Sequence, residues 1–232
     1  MVWPYRPLSY RVKLALFLVC ALAILFLFDT AYQGLNTFSR LDAVEAERDL
    51  WQRPSDVIQA LGSKPGDVVV DLGCGSGYFT LKLSAQVGEG GRVLAEDVRR
   101  FPLVFLWFRK VLKNDRNVTV LHGDPNDPHL PIKGVNAVLI VNTYHEFTDS
   151  KSILNHIFPS LVSGGRLVIV DREPRSVGAS SNESAREHHE VSSAQVESEL
   201  RHAEFEIVSR QDRFIENDPS NETWWLIAAR KP

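Results

Sequence analysis

The chain has 232 residues, 44 % of them apolar, and a formal charge of −3 at neutral pH, which is enough for one domain with a full core plus a separate apolar segment. Its 29 acidic and 26 basic side chains are evenly scattered, so no global basic field exists and no nucleic-acid partner is expected. Two cysteines, Cys20 and Cys74, give neither a disulfide framework nor a CxxC metal site.

The first anomaly along the chain is the run Leu14 to Phe28, LALFLVCALAILFLF, with Arg6, Arg11 and Lys13 just ahead of it. Basic residues before an apolar run predict a membrane segment over 14–30, between a short tail at 1–13 and a polar, helix-compatible lead-in at 31–53. The run is longer than a short signal core and shorter than the roughly 20 residues of a full span. Asp29, Thr30, Ala31 and Tyr32 offer no clean small-x-small cleavage pair. The prediction is therefore an uncleaved single-pass membrane anchor, with export after signal-peptide cleavage as the alternative. Three basic residues precede the run and two, Arg40 and Arg48, follow it, a narrow margin that weakly sends the domain across the membrane.

From residue 54 to 232 the chain reads as one domain. PSDVIQALG predicts a helix with Pro54 at its first position and Gly62 just past its end. Apolar strand-like runs follow at 68–72, 92–97, 117–121, 135–142, 166–171, 205–210 and 223–229. Helix-like segments lie at 77–87, 101–113, 149–161 and 192–204, the last opened by a Ser192/Gln195 capping box. This alternation predicts an α/β fold with a mainly parallel seven-stranded sheet and helices on both faces. Only a polar loop at 211–222 separates the last two runs, so they are expected to pair antiparallel, giving an antiparallel edge strand.

The stretch VVVDLGCGSGYFT, residues 68–80, leaves the first strand and enters a helix. A dinucleotide fingerprint needs G-x-G-x-x-G, whose third small residue leaves room for a pyrophosphate. Here Gly73, Gly75 and Gly77 alternate, Tyr78 occupies the position that should be small, and Asp71 at the strand end repels phosphate. A ligand carrying an amino group is expected.

DLGCGSGYFT resembles the first motif of class I S-adenosylmethionine (SAM) methyltransferases. GRVLAEDV, LHGDPNDPHLP, VNAVLIVNTYHEF and LVSGGRLVIVD resemble the later motifs in order, so the likeness runs from about residue 51 to the end. It implies a Rossmann-like fold, SAM as cosubstrate and methyl transfer. It places the amino-acid end of SAM against Asp71, Gly73, Cys74, Gly75, Gly77 and Tyr78, and the ribose on Asp97 beside Val98. Asp124 and Pro125 fall at the adenine, and Asn142 at the mouth of the fourth strand. YHEF, REHHEV and ELRHAEFEIV further resemble a subgroup of small bacterial methyltransferases, whose later histidine corresponds to His189 and whose usual glycine before Phe205 is Glu204 here.

Methyl transfer from a sulfonium needs alignment, and needs a base only when the acceptor must lose a proton. The loop after the fourth strand carries Tyr144, His145 and Glu146 at the C-terminal mouth of the sheet, where open α/β sheets bind ligands. His145 with Glu146 is the candidate base, and Tyr144 and His189 are candidate helpers; alternatively His145 and Glu146 only fix the loop. The His188, His189 and Glu190 cluster lacks metal-ligand spacing, and no metal is expected. The expected function is a membrane-anchored SAM-dependent methyltransferase with a small-molecule or lipophilic acceptor. A tethered SAM-binding module without turnover and a nicotinamide-dependent reductase are the alternatives. SAM is made in the cytosol, which opposes the charge count.

VRRFPLVFLWFRKVLKNDR, residues 98–116, is the last signal. Val104, Trp107, Phe108 and Val111 have the spacing of one buried face, which leaves Leu103, Phe105 and Leu106 as an exposed ridge among Arg99, Arg100, Arg109, Lys110, Lys113 and Arg116. Such a ridge over 101–108 predicts contact with an anionic bilayer; a hydrophobic acceptor pocket or an oligomer contact are the alternatives.

Overall fold

The computed structural model describes residues 9–174, 191–216 and 218–232. The chain divides into two units, Met1–Leu50 and Trp51–Pro232. Helix α1 (Tyr10–Trp51) runs unbroken through both the apolar run and the polar lead-in. It is long and apolar enough to cross a membrane and none of its most apolar window is buried, although a signal sequence passes the same test.

The second unit is built on a seven-stranded sheet of order β3-β2-β1-β4-β5-β7-β6. Its strands are β1 (Val68–Leu72), β2 (Arg92–Asp97), β3 (Val118–His122), β4 (Val135–Val141), β5 (Leu161–Arg172), β6 (Glu206–Ile215) and β7 (Trp224–Arg230). β1 to β5 are mutually parallel. β6 and β7 pair antiparallel at one margin, as expected, and the reversed strand β7 sits one place in from the edge, against β5. The strand order reverses direction between β1 and β4, where parallel sheets open a crevice beyond their C-terminal ends.

Helices cover both faces: α2 (Pro54–Leu61), α3 (Tyr78–Val87) and α4 (Arg100–Lys113) on one, α5 (Ser150–Ser160) and α6 (Ser193–His202) on the other. Their ends follow the punctuation of the sequence. Pro54 opens α2, and Gly62, at φ 66°, closes it by donating its N–H to the carbonyls of Ile58 and Gln59. The Ser192 hydroxyl accepts the Gln195 N–H at 3.3 Å and caps α6. Strand alternation sorts the core into two layers: Trp224, Leu226 and Ala228 of β7 face the α2/α3/α4 layer, and Trp225, Ile227 and Ala229 face α5 and α6.

Helix α4 corrects the sequence reading. Leu103, Leu106 and Arg109 are buried, whereas Val104, Trp107, Phe108 and Val111 are exposed. Leu106 wins the inward place because the missing side chain of Gly77 makes room for it: a Cβ there would stand 2.4 Å from Leu106 Cδ1. Arg109 turns inward because its guanidinium donates to the Ser76 carbonyl at 2.7 Å, giving a buried charge a partner. Both flanks of α4 are apolar, so spacing alone could not choose between them.

Candidate active site

The glycine loop joins β1 to α3. Gly73, Gly75 and Gly77 have φ of 76°, 55° and 93°, left-handed values that explain why glycine stands at all three. The N–H groups of Gly73 and Cys74 both donate to the Glu96 carbonyl at 2.9 Å, which ties the loop to the end of β2. A Cβ at Gly73 would stand 2.3 Å from Thr143 Cγ2, so the loop also touches the segment after β4. Asp71 is buried beneath this loop and accepts the Thr80 hydroxyl at 2.5 Å. Cys74 is buried, and burial followed by the charges of Asp71 and Asp97 pushes its thiol far up, so it carries no thiolate. Tyr78 is buried at the start of α3, edge-on to Phe79, where a pyrophosphate loop would need space.

At the end of β2, Asp97 accepts the Gly75 N–H at 2.9 Å through one oxygen and the Arg99 N–H at 2.8 Å through the other. The Arg99 guanidinium reaches the same carboxylate at 3.2 Å. With a second guanidinium nitrogen at 3.4 Å, four N–H donors already meet the roughly four acceptor directions of its two oxygens, so a diol would take the place of the exposed Arg99 guanidinium. Next to it the Glu96 carboxyl is buried, with Oε1 unpartnered among the described residues. Burial first, and the charge of Asp97 second, push it up to about 8.

These pieces bound one cavity of about 250 Å³, lined by Gly73, Glu96, Asp97 and Val98 on one side, Asp124 and Pro125 on another, and Thr143, Glu146 and Phe147 on a third. Asp124 is additionally 3.2 Å from His129 Nε2. Asn142 follows β4 at φ 55°, and its side-chain Oδ1 is buried without a partner among the described residues.

The loop after β4 separates its three candidates. His145 Nδ1 lies 2.8 Å from Oδ1 of the fully buried Asp171, and the His145 N–H donates to Asp171 Oδ2 at 3.1 Å. A neutral ring that donates from Nδ1 to Asp171 has Nε2 as its acceptor nitrogen. Nε2 faces Glu146 at 4.0 Å and Arg172 Nη2 at 3.5 Å, and His145, like Tyr144, stands behind the cavity lining, which Thr143 and Glu146 form on either side of it. Glu146 is half-exposed at the cavity wall. Tyr144 is buried and donates its hydroxyl to Glu199 of α6 at 2.6 Å. Burial and that carboxylate push its phenol far up, so it packs as a structural link to α6 and does not line the cavity. His189, with His188 and Glu190, lies outside the described residues.

The sequence did not single out Asp171, Thr143, Glu96 or Arg99 as site residues. The signal for Asp171 was a carboxylate ending a strand that parallels the one leading to His145. Among the described residues no metal-binding group of His, Cys, Asp and Glu is present.

A family profile described as a methyltransferase domain matches residues 63–228. The chain belongs to this methyltransferase family. Its recognition as class I SAM-dependent agrees with its curated relatives and with its fold neighbours. The ubiquinone/menaquinone biosynthesis C-methyltransferase of Vibrio cholerae serotype O1 is 30 % identical over 125 residues, 53 % of this chain and 46 % of that protein. The demethylmenaquinone methyltransferase of Lactococcus lactis subsp. lactis is 28 % identical over 140 residues, 59 % of this chain and 54 % of that protein. This methyltransferase thus spans about half the length of the curated relatives it matches. A SAM-dependent methyltransferase from Aquifex aeolicus superposes with a TM-score of 0.66 at 23 % identity, covering 79 % of this chain and 92 % of that one. A [4+2]-cyclase shares the fold with a TM-score of 0.66 at 15 % identity, covering 78 % and 80 %.

Proposed function

We propose that this chain is a membrane-anchored SAM-dependent methyltransferase acting on a small lipophilic acceptor, with His145 as the proton acceptor and Asp171 as its positioning partner. The observation that carries the reading is the cavity bounded by the glycine loop, Asp97 and Asp124, whose wall includes Thr143 and Glu146, the residues flanking the 144–145 pair. SAM supplies an electrophilic methyl group on a sulfonium and a ribose diol, and the chain's own groups suit both ends. Gly73 carries no side chain because Thr143 fills its Cβ position, which seats the loop against the segment after β4. Asp97 can exchange the exposed Arg99 guanidinium for the diol, the orphaned Asn142 Oδ1 is an acceptor in want of a donor, and the Glu96 carboxyl, pushed up to about 8, keeps one oxygen unpartnered beside it. Asp71, already holding Thr80, acts as a buried negative charge beneath the loop.

On the acceptor side, the attacking atom bonds to the methyl carbon as the carbon–sulfur bond breaks, and the proton it loses passes to His145 Nε2. Alignment by the cavity walls supplies most of the rate. The named relatives are a ubiquinone/menaquinone biosynthesis C-methyltransferase and a demethylmenaquinone methyltransferase, and a lipophilic acceptor fits both those names and an apolar anchor. Calorimetry with SAM and with NADH, followed by methyl transfer from labelled SAM to demethylmenaquinone-type phenols, tests the reading. Tight NADH binding without SAM binding would overturn it. SAM binding without turnover on any acceptor would favour the alternative of a tethered SAM-binding module, a choice the fold alone does not make.

A further inference from the structure

Among the described residues of the second unit, the outward face of α4 carries a run of exposed large apolar side chains. Phe101, Val104, Trp107, Phe108, Val111 and Leu112 are between 48 % and 74 % exposed. The spacing 101, 104, 108, 111, 112 is that of one continuous helical stripe, and Trp107 flanks it. A soluble surface seldom concentrates six large apolar side chains on four turns of one helix.

From residue 98 to 114 the sequence holds five basic and no acidic side chains. Arg109 and Lys110 spend their charge on the Ser76 and Val118 carbonyls, and Arg99 on Asp97. Arg100 and Lys113 are exposed at the two ends of the stripe, and Arg116, beyond Asp115, donates to Asn114 Oδ1 at 3.1 Å. A second copy docked face to face would bring these like charges together. An anionic bilayer meets both properties at once: headgroups for the arginines and lysine, acyl chains for the stripe. An indole at such a boundary keeps its ring apolar-side and its N–H wet.

We infer that the Phe101–Leu112 face of α4 docks on the surface of an anionic lipid bilayer. The inference deepens the membrane-anchored reading and rests on it. Val98 and Arg99, immediately before α4, line the SAM cavity, so docking brings the cavity rim to the lipid from which a lipophilic acceptor would be drawn.

The test uses the full chain reconstituted with vesicles of phosphatidylcholine alone or mixed with phosphatidylglycerol, with brominated acyl chains. Flotation with the vesicles reports α1, and quenching of the Trp107 emission, obtained by difference from Trp107→Phe, reports α4. The expected result is flotation in both lipids and Trp107 quenching that requires phosphatidylglycerol. Arg100→Gln and Lys113→Gln should each weaken the quenched state about fivefold. Flotation with Trp107 unquenched in both lipids would overturn the docking and leave the anchor standing; absence of flotation and of quenching would overturn both. Self-association abolished by Phe108→Asp, without lipid quenching, would assign the face to a second copy instead. Because these residues are exposed, their replacement leaves the core untouched.

Discussion

The chemistry of the site turns on single hydrogen bonds. Asp171 accepts from the His145 ring and backbone and from the Arg172 N–H at 2.8 Å, so Asp171→Asn keeps the shape but presents the wrong proton to Nδ1. With His145 proposed as the base, His145→Ala is expected to lower kcat by about 10²–10⁴. Asp171→Asn should lower kcat in the same direction while the SAM dissociation constant stays unchanged in calorimetry. Unaltered kcat in both variants would reduce His145 to a loop fastener. Glu96 carries a pH prediction. Its folded value of about 8 lies above its ordinary 4.5, so between those values the unfolded chain binds fewer protons there and folding stability falls as pH rises. Glu96→Gln removes this cost. Its melting temperature should exceed that of the parent above the window and match it below, each unit crossed counting for about 1.4 kcal/mol. An equal gain at both ends would show that the carboxyl is already charged when folded. Asp97 and Asp124 were legible because motif order marks strand ends. Asp171 was not, because its partner is 26 residues away and only the pairing of β4 with β5 joins them.

Elements were legible where the sequence punctuates itself. Pro54, Gly62, Ser192 and the alternating glycines fixed the ends of α2, α3 and α6 within a residue or two. The inward face of α4 was not, since what selects it is the hollow at Gly77, a contact across more than twenty residues. The glycine loop separates two physical costs. Gly73→Ala combines positive φ with a collision at Thr143 and is expected to weaken SAM binding by more than about tenfold, whereas Gly75→Ala, whose Cβ meets nothing within 4 Å, bears only backbone strain of about 1 kcal/mol. Equal losses in calorimetry would remove Thr143 from the argument. At the end of α6, Glu204 has φ 67°, a left-handed backbone that favours glycine. Its side chain is exposed, so Glu204→Gly gives up little contact, and chemical denaturation should show a gain of roughly 0.5–1 kcal/mol.

For the whole molecule, two features point to lipid by different chemistry. The α1 run is apolar all along its window, whereas the α4 stripe is one-sided and ringed by basic groups. Insertion of the first is close to irreversible and indifferent to salt; attachment through the second is reversible and screened over about 10 Å at ordinary ionic strength. The boundary between the units at residues 50 and 51 lets the two be separated. Removal of residues 1–50 is expected to leave SAM affinity unchanged, because every cavity-lining residue lies in the second unit. The same truncation should convert membrane attachment from salt-resistant to salt-sensitive. Flotation on phosphatidylglycerol vesicles at low and high salt, beside calorimetry with SAM, reads both outcomes. Salt-resistant flotation of the truncated chain would mean that α1 is not the anchor. A loss of SAM binding in a chain that still melts cooperatively would mean that the first unit contributes to the site. A charge count that weakly exports the domain opposes a cosubstrate made in the cytosol; we propose the cytosolic side, since a SAM-dependent site works only where SAM is. Protease added to sealed vesicles should therefore cut the second unit only when the cytosolic face is outward.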